Sequence, residues 1–258
     1  MSRAANRATI AALMTRARNE ILRVPGAAIP GVLAPTIFFL GLNGVFGNLI
    51  QLRGFNADNY LSFIVPVSML QGAGFTGAAT GVNLARDIEG GWFDRLMASP
   101  APRWVLLAGM ALSASARALI PAALVLVVAL ALGASFPGVL GLLVAALLVM
   151  GMAATAAFWG MMLALRYRSQ SAAPLMQAGM FLLVLLTPAY APIALLQGWL
   201  HAIATVNPVT KVLDAMRQGF LGGVTWSDTW PGLVAIAALM FVLGAAALRG
   251  MNRFSARA

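Results

Sequence analysis

Few residues of this chain have side chains that could carry out chemistry, and they form no known catalytic or metal-binding pattern. Cysteine is absent and His201 is the single histidine, which excludes disulfides and Cys/His metal sites. Neither the phosphate-binding pattern G-x-x-x-x-G-K-[ST] nor the nucleophile pattern G-x-S-x-G occurs. The sequence therefore predicts no catalytic residue, no cofactor-binding residue and no metal ligand, and His201 is predicted to be an ordinary residue of an external helix.

One glycine pattern, Gly72 to Gly77, matches the dinucleotide-binding motif G-x-G-x-x-G letter for letter. That motif functions at the end of a β-strand in a soluble βαβ unit, whereas here it lies inside a long apolar stretch. Small residues such as Gly77-x-x-x-Gly81 also allow membrane helices to pack closely. Helix packing is the interpretation that the sequence favours.

Charged residues of both signs are concentrated in one segment, Leu84 to Arg103, which lies between two long apolar stretches. Before its prolines the segment contains Arg86, Asp87, Glu89, Asp94 and Arg95. A charge at the centre of a membrane costs roughly 2.5–3.5 kcal/mol, so this segment must leave the hydrocarbon. The sequence therefore predicts a connection at a membrane surface.

The local sequence of this connection predicts a short amphipathic helix. Glycines 90 and 91 break the helix that comes from the preceding apolar stretch, and prolines 100 and 102 stop the new one. Between these breaks three apolar residues share one helical face: Phe93, Leu96 and Met97. Such a face suits docking to a second protein. A solvated loop is the alternative, but it would leave the apolar strip uncovered.

The same residues carry a resemblance to a known family. The pattern Asp87-x-x-x-Gly91-x-Phe93-Asp94-Arg95-Leu96-x-x-x-Pro100 resembles the coupling segment of ABC type-2 permeases, most closely the daunorubicin-resistance-type branch. In that family the segment contacts a separate ATP-binding subunit. The resemblance implies this contact here for Arg86, Asp87, Glu89, Gly91, Trp92, Phe93, Asp94, Arg95 and Leu96.

The composition indicates a membrane protein independently of the resemblance. Hydrophobic residues make up 61% of the 258 residues and charged residues 9%, whereas soluble domains average about 25% charged residues. Because a span needs roughly 20 residues, we predict a single all-α transmembrane domain, residues 1–258. The six predicted transmembrane helices are 28–49, 60–83, 104–132, 139–165, 172–186 and 230–248.

Two further segments are predicted to lie at the membrane surfaces. Residues 1–24 combine apolar residues at helical spacing with five arginines, which is typical of an interfacial amphipathic helix. A cleaved signal peptide is the alternative, but arginines would interrupt its apolar core. Residues 188–228 contain two amphipathic pieces joined by a turn at Asn207-Pro208. In the second piece Lys211, Asp214 and Arg217 are predicted to lie opposite the apolar face.

Basic residues orient the predicted spans. Thirteen of them lie on the side of the two termini and the charged connection, and three (Arg53, Lys211 and Arg217) lie on the other side. The positive-inside rule therefore places both termini in the cytoplasm. Sixteen of the seventeen basic residues are arginine, which indicates a bacterial genome, so the expected location is the bacterial inner membrane. Because this asymmetry explains the net charge of +10, no nucleic-acid partner is predicted.

Polar and small residues inside two predicted spans are candidates for a substrate pathway. They are Ser68, Gln71, Gly72, Thr76 and Thr80 on the second span, and Gln177 and Phe181 on the fifth. Most of the residues on the second span recur every fourth position, so they share one helical face. Such residues also serve as packing contacts between membrane helices. The resemblance implies a central cavity that these two spans line in each of two protomers.

Arg117 is the one charged residue deep within a predicted span. An arginine at such depth often faces a cavity or pairs with an acid. The alternative is that its long side chain extends back to the cytoplasmic headgroups. Both interpretations stay open from the sequence.

The resemblance implies the function of a permease subunit in an ATP-driven exporter that works by alternating access. Its implied partners are two copies of an ATP-binding subunit, which carries ATP and Mg, and a second permease copy, as a homodimer. The implied cargo is hydrophobic drug-like molecules or lipids. Polysaccharide or glycolipid export by a related branch and a non-transporting membrane scaffold are the alternatives. The chain itself is predicted not to be an enzyme, because it lacks a phosphate loop.

Overall fold

The computed structural model describes residues 3–23, 29–48 and 59–255, and within these ranges it contains helices, turns and no strand. Their ten α-helices are α1 (Arg3–Arg23), α2 (Ile29–Phe46), α3 (Tyr60–Glu89), α4 (Trp92–Met97), α5 (Arg103–Ala131), α6 (Gly138–Tyr167), α7 (Ala173–Leu185), α8 (Gly198–Val206), α9 (Pro208–Leu221) and α10 (Trp226–Ser255). The all-α prediction is confirmed for this part of the chain.

Six of the described helices are apolar, four of them over a long stretch and two over a shorter one. Among the described residues, α3, α5, α6 and α10 are long and apolar enough to cross a membrane. Shorter apolar helices, Leu33–Phe46 and Gln170–Leu185, fall on α2 and α7. In chain order the six correspond to the six predicted spans. The predicted loop that carries Arg53 and Asp58 lies outside the described residues.

Two predicted spans differ from their helices by four residues or more at an end. The third helix, α3, continues to Glu89 instead of ending at Asn83, and it stops only where the two glycines follow. The last helix, α10, begins at Trp226 and ends at Ser255 instead of covering 230–248. Charged residues do not themselves end a helix, so both helices extend beyond their apolar parts.

Helix α3 lies at the centre of the molecule and contacts α2, α5, α6, α7 and α9. Its closest neighbour is α6, because glycines replace side chains where the two helices cross. A Cβ atom at Gly81 would overlap the backbone of Gly160, and one at Gly160 would lie 2.9 Å from the carbonyl oxygen of Ala78. A Cβ at Gly77 would lie 2.6 Å from that of Ala156. The glycine pattern therefore serves helix packing, as predicted.

The segment before α10 forms the two predicted short helices, α8 and α9, with a turn at Asn207. The Asn207 side chain accepts a hydrogen bond from the Val209 amide and donates to the carbonyl oxygens of Leu183 and Leu186, at 2.9 Å each. The turn is thereby attached to the end of α7.

The prediction that Arg217 lies on the polar face of α9 is wrong. Its side chain is only 7% exposed and stacks on the Phe63 ring at 3.7 Å. It donates hydrogen bonds to the carbonyl oxygens of Phe63, Pro188 and Ala189, at 3.1, 3.0 and 3.1 Å. Burial lowers the pKa of Arg217 to about 10, so it stays charged at neutral pH. The carbonyls of Pro188 and Ala189 lie outside regular helices, and together with the Phe63 carbonyl they supply the acceptors that a buried cation needs.

The N-terminal helix α1 packs against α5. Leu13 of α1 is 8% exposed and packs on Gly109 of α5. A Cβ atom at Gly109 would lie only 2.7 Å from Leu13 Cδ1. Among the described side chains of α1, Leu13 is therefore buried against α5, whereas Arg7, Thr15 and Arg16 are exposed. The interfacial position of residues 1–24 stays a prediction.

Candidate functional site

The coupling segment, residues 84–103, comprises the end of α3, a two-residue turn, α4 and the prolines before α5. The Gly90 amide donates to the Arg86 carbonyl at 2.9 Å, which closes α3. Gly91 then adopts a φ of 69°, a conformation that other residues adopt only with strain. A Cβ there would meet nothing within 4 Å, so the backbone conformation, not space, requires glycine. The predicted break at this pair is confirmed.

Asp87 attaches the coupling segment to α1. The Nη2 atom of Arg16 donates to both carboxylate oxygens of Asp87, at 2.8 and 2.9 Å. The same guanidinium lies over the Trp92 ring of α4, at 3.8 Å from the ring centroid. A cation held by a carboxylate and an aromatic face is restrained in both position and orientation. Arg16 therefore connects α1 to both sides of the glycine turn.

Glu89 and Arg86 attach the segment to the connection between α6 and α7. The backbone amide of Gln170 donates to Glu89 Oε1 at 2.9 Å, and its side-chain amide donates to Glu89 Oε2. Arg86 Nε in turn donates to Gln170 Oε1 at 3.3 Å. The end of α3 and the connection before α7 are therefore linked by three hydrogen bonds.

Phe93 attaches α4 to the last helix. Its side chain is fully buried, and its ring meets the ring of Phe254 of α10 edge to face, at 5.0 Å between centroids. The guanidinium of Arg168 lies over the Phe254 ring, at 4.4 Å from the ring centroid. Leu96 and Met97 are partly buried against the same core. The apolar face formed by Phe93, Leu96 and Met97 is thus covered by other parts of the chain.

The surface that α4 leaves open is polar. Asp94 and Arg95 are exposed, as are Glu89, Gly90 and Gly91 before them. The residues predicted to contact an ATP-binding subunit that contact other parts of this chain are Arg86, Asp87, Glu89, Trp92, Phe93 and Leu96. The exposed face of α4 is therefore centred on Asp94 and Arg95.

The predicted pathway residues of α3 face neighbouring helices. Ser68 and Gln71 are 2% and 3% exposed, and the Gln71 amide donates to the Tyr190 hydroxyl at 2.7 Å. A Cβ at Gly72 would lie 3.4 Å from Pro35 of α2 and 3.5 Å from Pro121 of α5. Thr76 keeps partial exposure. This face of α3 is packed in the described structure, with Thr76 as its most accessible member.

Of the predicted pathway residues of α7, Phe181 packs against α3 and α2. Phe181 stacks on Phe75 of α3 with ring centroids 6.0 Å apart, and Phe38 of α2 lies at the same distance. The Oε1 atom of Gln177 is buried and has no hydrogen-bond partner among the described residues. Within the described residues, Phe181 therefore packs on α3 through Phe75, next to Thr76 in the chain.

Arg117 contacts α3 through its guanidinium. Nη2 donates to the Thr80 hydroxyl at 2.8 Å, and Nε lies 3.4 Å from the Ser113 carbonyl oxygen. Because Ser113 is one turn nearer the start of α5, the side chain extends toward the charged end of the helix. The structure thus combines the two interpretations left open by the sequence: the side chain extends toward that end and also contacts a polar group of a neighbouring helix.

The sequence did not predict the residues that hold the coupling segment, because they lie far from it along the chain. Arg16, Gln170 and Phe254 lie 71, 81 and 161 positions from their partners Asp87, Glu89 and Phe93. Local periodicity carries no information on such pairs.

The apolar helices, together with a polar segment held at one end of the bundle, define an all-helical, multi-pass membrane protein. A family model described as "ABC-2 type transporter" matches residues 8–221. The chain belongs to this family, which confirms the resemblance carried by the coupling segment.

Two curated relatives are similar over much of the chain. The "Probable multidrug ABC transporter permease YbhR" of Escherichia coli (strain K12) is 26% identical over 190 residues, which cover 69% of this chain and 50% of the relative. The "Daunorubicin resistance ABC transporter permease protein DrrB1" of Streptomyces coeruleorubidus is 26% identical over 238 residues, which cover 91% of this chain and 82% of the relative. The chain therefore spans about half the length of the Escherichia coli protein.

Proposed function

We propose that this chain is the membrane-spanning permease subunit of an ATP-driven exporter. The observation that carries the proposal is the coupling segment, which is bonded to three separate parts of the chain through Asp87, Glu89 and Phe93. A force applied to α4 would therefore reach α1, α7 and α10 together. Membership of the ABC-2 type transporter family supports the same function.

Six spans and a cytoplasmic coupling segment complete the proposal. The spans are α2, α3, α5, α6, α7 and α10. Contacts bring the basic ends of the chain together on one side: Arg16 with Asp87, Arg103 with Asn252 at 2.9 Å, and Arg168 with Phe254. Concentrated basic residues favour the cytoplasmic side. This supports a multi-pass protein of the bacterial inner membrane with both termini inside.

The proposed mechanism is alternating access driven by a partner. Two copies of an ATP-binding subunit, which hold ATP and Mg, dock on the exposed face around Asp94 and Arg95 in a complex with two permease copies. Closure of the partner subunits moves α4, and the rigid attachments of the glycine turn pass this movement to the spans. In this mechanism the chain's own residues dock and transmit force, and they catalyse no reaction.

The proposed cargo is hydrophobic drug-like molecules or lipids. The names of both relatives, a multidrug permease and a daunorubicin-resistance permease, support this class. Thr76, Gln177 and Phe181 keep partial exposure, so they are the predicted pathway residues that we place against cargo at the interface of two protomers.

Co-purification with an ABC ATP-binding subunit from the same organism tests the docking step. Reversing the charge of exposed Arg95 (Arg95→Glu) should reduce the amount of ATP-binding subunit that co-purifies and the ATP hydrolysis of the complex. Arg249→Glu is the matched control, since Arg249 is also exposed near the same end but lies on α10. Equal losses in both variants, or none in either, would contradict docking at α4.

A further inference from the structure

A cleft of about 50 Å³ lies between α1, α3 and α5, apart from the exposed face of α4. Of the predicted pathway residues, Thr80 lines it. Two arginines from different helices line it, Arg16 and Arg117, together with Asp87 and the polar side chains of Thr80, Asn83 and Ser113. Polar groups are expensive within a membrane and usually mark a functional site.

The polar side of the cleft runs along α3 from the surface toward the middle of the membrane. Thr80, Asn83 and Asp87 are spaced by three and four residues, so they share one helical face. Their separation corresponds to about 10 Å along the helix. Arg16 lies at the outer end of this row, on Asp87, and Arg117 lies at the inner end, on Thr80. An elongated polar group could contact both.

The described lining carries one net positive charge, since two arginines face one aspartate. The hydrogen bond of Arg117 to Thr80 fixes the direction of its guanidinium. The Arg16 guanidinium is fixed by Asp87 and Trp92 while its side chain remains 43% exposed. Positioned guanidinium groups are suited to phosphate oxygens, because their N–H groups match the spacing of the acceptors.

The remaining lining of the cleft is apolar: Leu13, Leu84 and Met110. Of these three side chains Met110 keeps partial exposure, and a phospholipid would cover it with its glycerol and upper acyl carbons, whereas a free phosphate ion would not. The cleft also lies beneath α1, an interfacial helix whose exposed arginines attract anionic lipids. Both features favour an amphiphile over an ion.

We propose that this cleft binds the phosphate group of an anionic phospholipid from the leaflet at the coupling-segment side. With the orientation proposed above, this is the cytoplasmic leaflet. The bound lipid contacts α1, α3 and α5 together. Its phosphate adds a contact to Arg16, which also binds Asp87 and Trp92. The inference concerns lipid binding and does not depend on which cargo is exported.

Native mass spectrometry of the full-length chain in detergent tests the proposal, with phosphatidylglycerol and phosphatidylcholine added at equal concentration. The wild type should retain phosphatidylglycerol in preference to phosphatidylcholine. Arg117→Gln should reduce that preference by about tenfold, the loss expected for one charge-assisted contact. Arg249→Gln removes the same charge from an exposed position outside the cleft and should leave the preference unchanged. Equal preference in the wild type, or equal losses in the two variants, would overturn the proposal.

Asn83→Leu tests the same site without a change of charge. The larger apolar side chain fills the cleft between the arginines, so phosphatidylglycerol retention should fall to the level of Arg117→Gln. This variant also decides the question if Arg117→Gln fails to fold; retention at the wild-type level would refute the cleft as the site. Added inorganic phosphate should not displace the lipid at millimolar concentration, and full displacement would assign the site to free phosphate and overturn the lipid proposal.

Discussion

Replacing Phe93 with alanine tests whether α4 is held by the last helix. Phe93 is fully buried against Phe254, and truncating a buried phenylalanine typically costs about 3–5 kcal/mol. Helix α4 has only six residues, and a helix this short is not stable without tertiary contacts. A loss of about 3 kcal/mol lowers the ratio of docked to undocked α4 more than a hundredfold. We therefore expect Phe93→Ala to release α4 while the spans stay inserted.

The measurement is a distance distribution between two spin labels. Because the chain contains no cysteine, Ala98→Cys and Arg253→Cys, both at exposed positions, can be labelled without background. The distribution should be narrow in the wild type and broad in Phe93→Ala. Phe241→Ala is the matched control, since Phe241 lies on α10 but is 77% exposed. A narrow distribution in Phe93→Ala would refute the proposed anchoring, and broadening in both variants would show that α10 itself had been disturbed.

Three further predictions concern packing, the pathway and topology. Gly81→Ala should lower the melting temperature in detergent, because its Cβ would overlap Gly160 and overpacking costs about 1–3 kcal/mol or more. Gly41→Ala is the control and should leave the melting temperature unchanged, because a Cβ there would meet nothing within 4 Å. Equal melting temperatures of the two variants would contradict the close crossing of α3 and α6. Gly72→Leu should also destabilise the protein, because the new side chain would overlap Pro35 and Pro121. Thr76→Leu should keep the stability of the protein and alter which molecules are exported. A stable Gly72→Leu variant with an altered cargo profile would show that Gly72 also lines the pathway. In intact cells an impermeant maleimide should label Gly223→Cys and spare Ala98→Cys, and the reverse pattern would invert the proposed orientation.

The helices and their breaks could be predicted because they depend on neighbouring residues. Apolar stretches of sufficient length, the glycine pair at 90–91 and the small residues at Gly77 and Gly81 each carry their signal within a few positions. The structure confirms the break and the close crossing. The boundary of α3 was wrong because hydropathy marks where a helix leaves the membrane, not where its hydrogen bonding ends.

The partners of the candidate site could not be predicted, since each is contributed by a distant part of the chain. Phe93 has the amphipathic spacing of a docking residue, but only the position of α10 shows that Phe254 already occupies its apolar face. Similarly, four-residue spacing placed Gly72, Thr76 and Thr80 on one side of α3, and the neighbours on that side follow from the arrangement of α2 and α5. Periodicity identifies faces, and tertiary packing decides what covers them.

Site-specific photocross-linking from α4 tests the central claim most directly. A photoreactive amino acid placed at Arg95, which is exposed on the coupling segment, should form a covalent adduct with the co-expressed ATP-binding subunit. The same group at Phe136, which is 59% exposed beyond the far end of α5, should form none. The account predicts an adduct from Arg95 alone. An adduct from Phe136 with none from Arg95 would contradict the claim that this segment couples the permease to its ATPase.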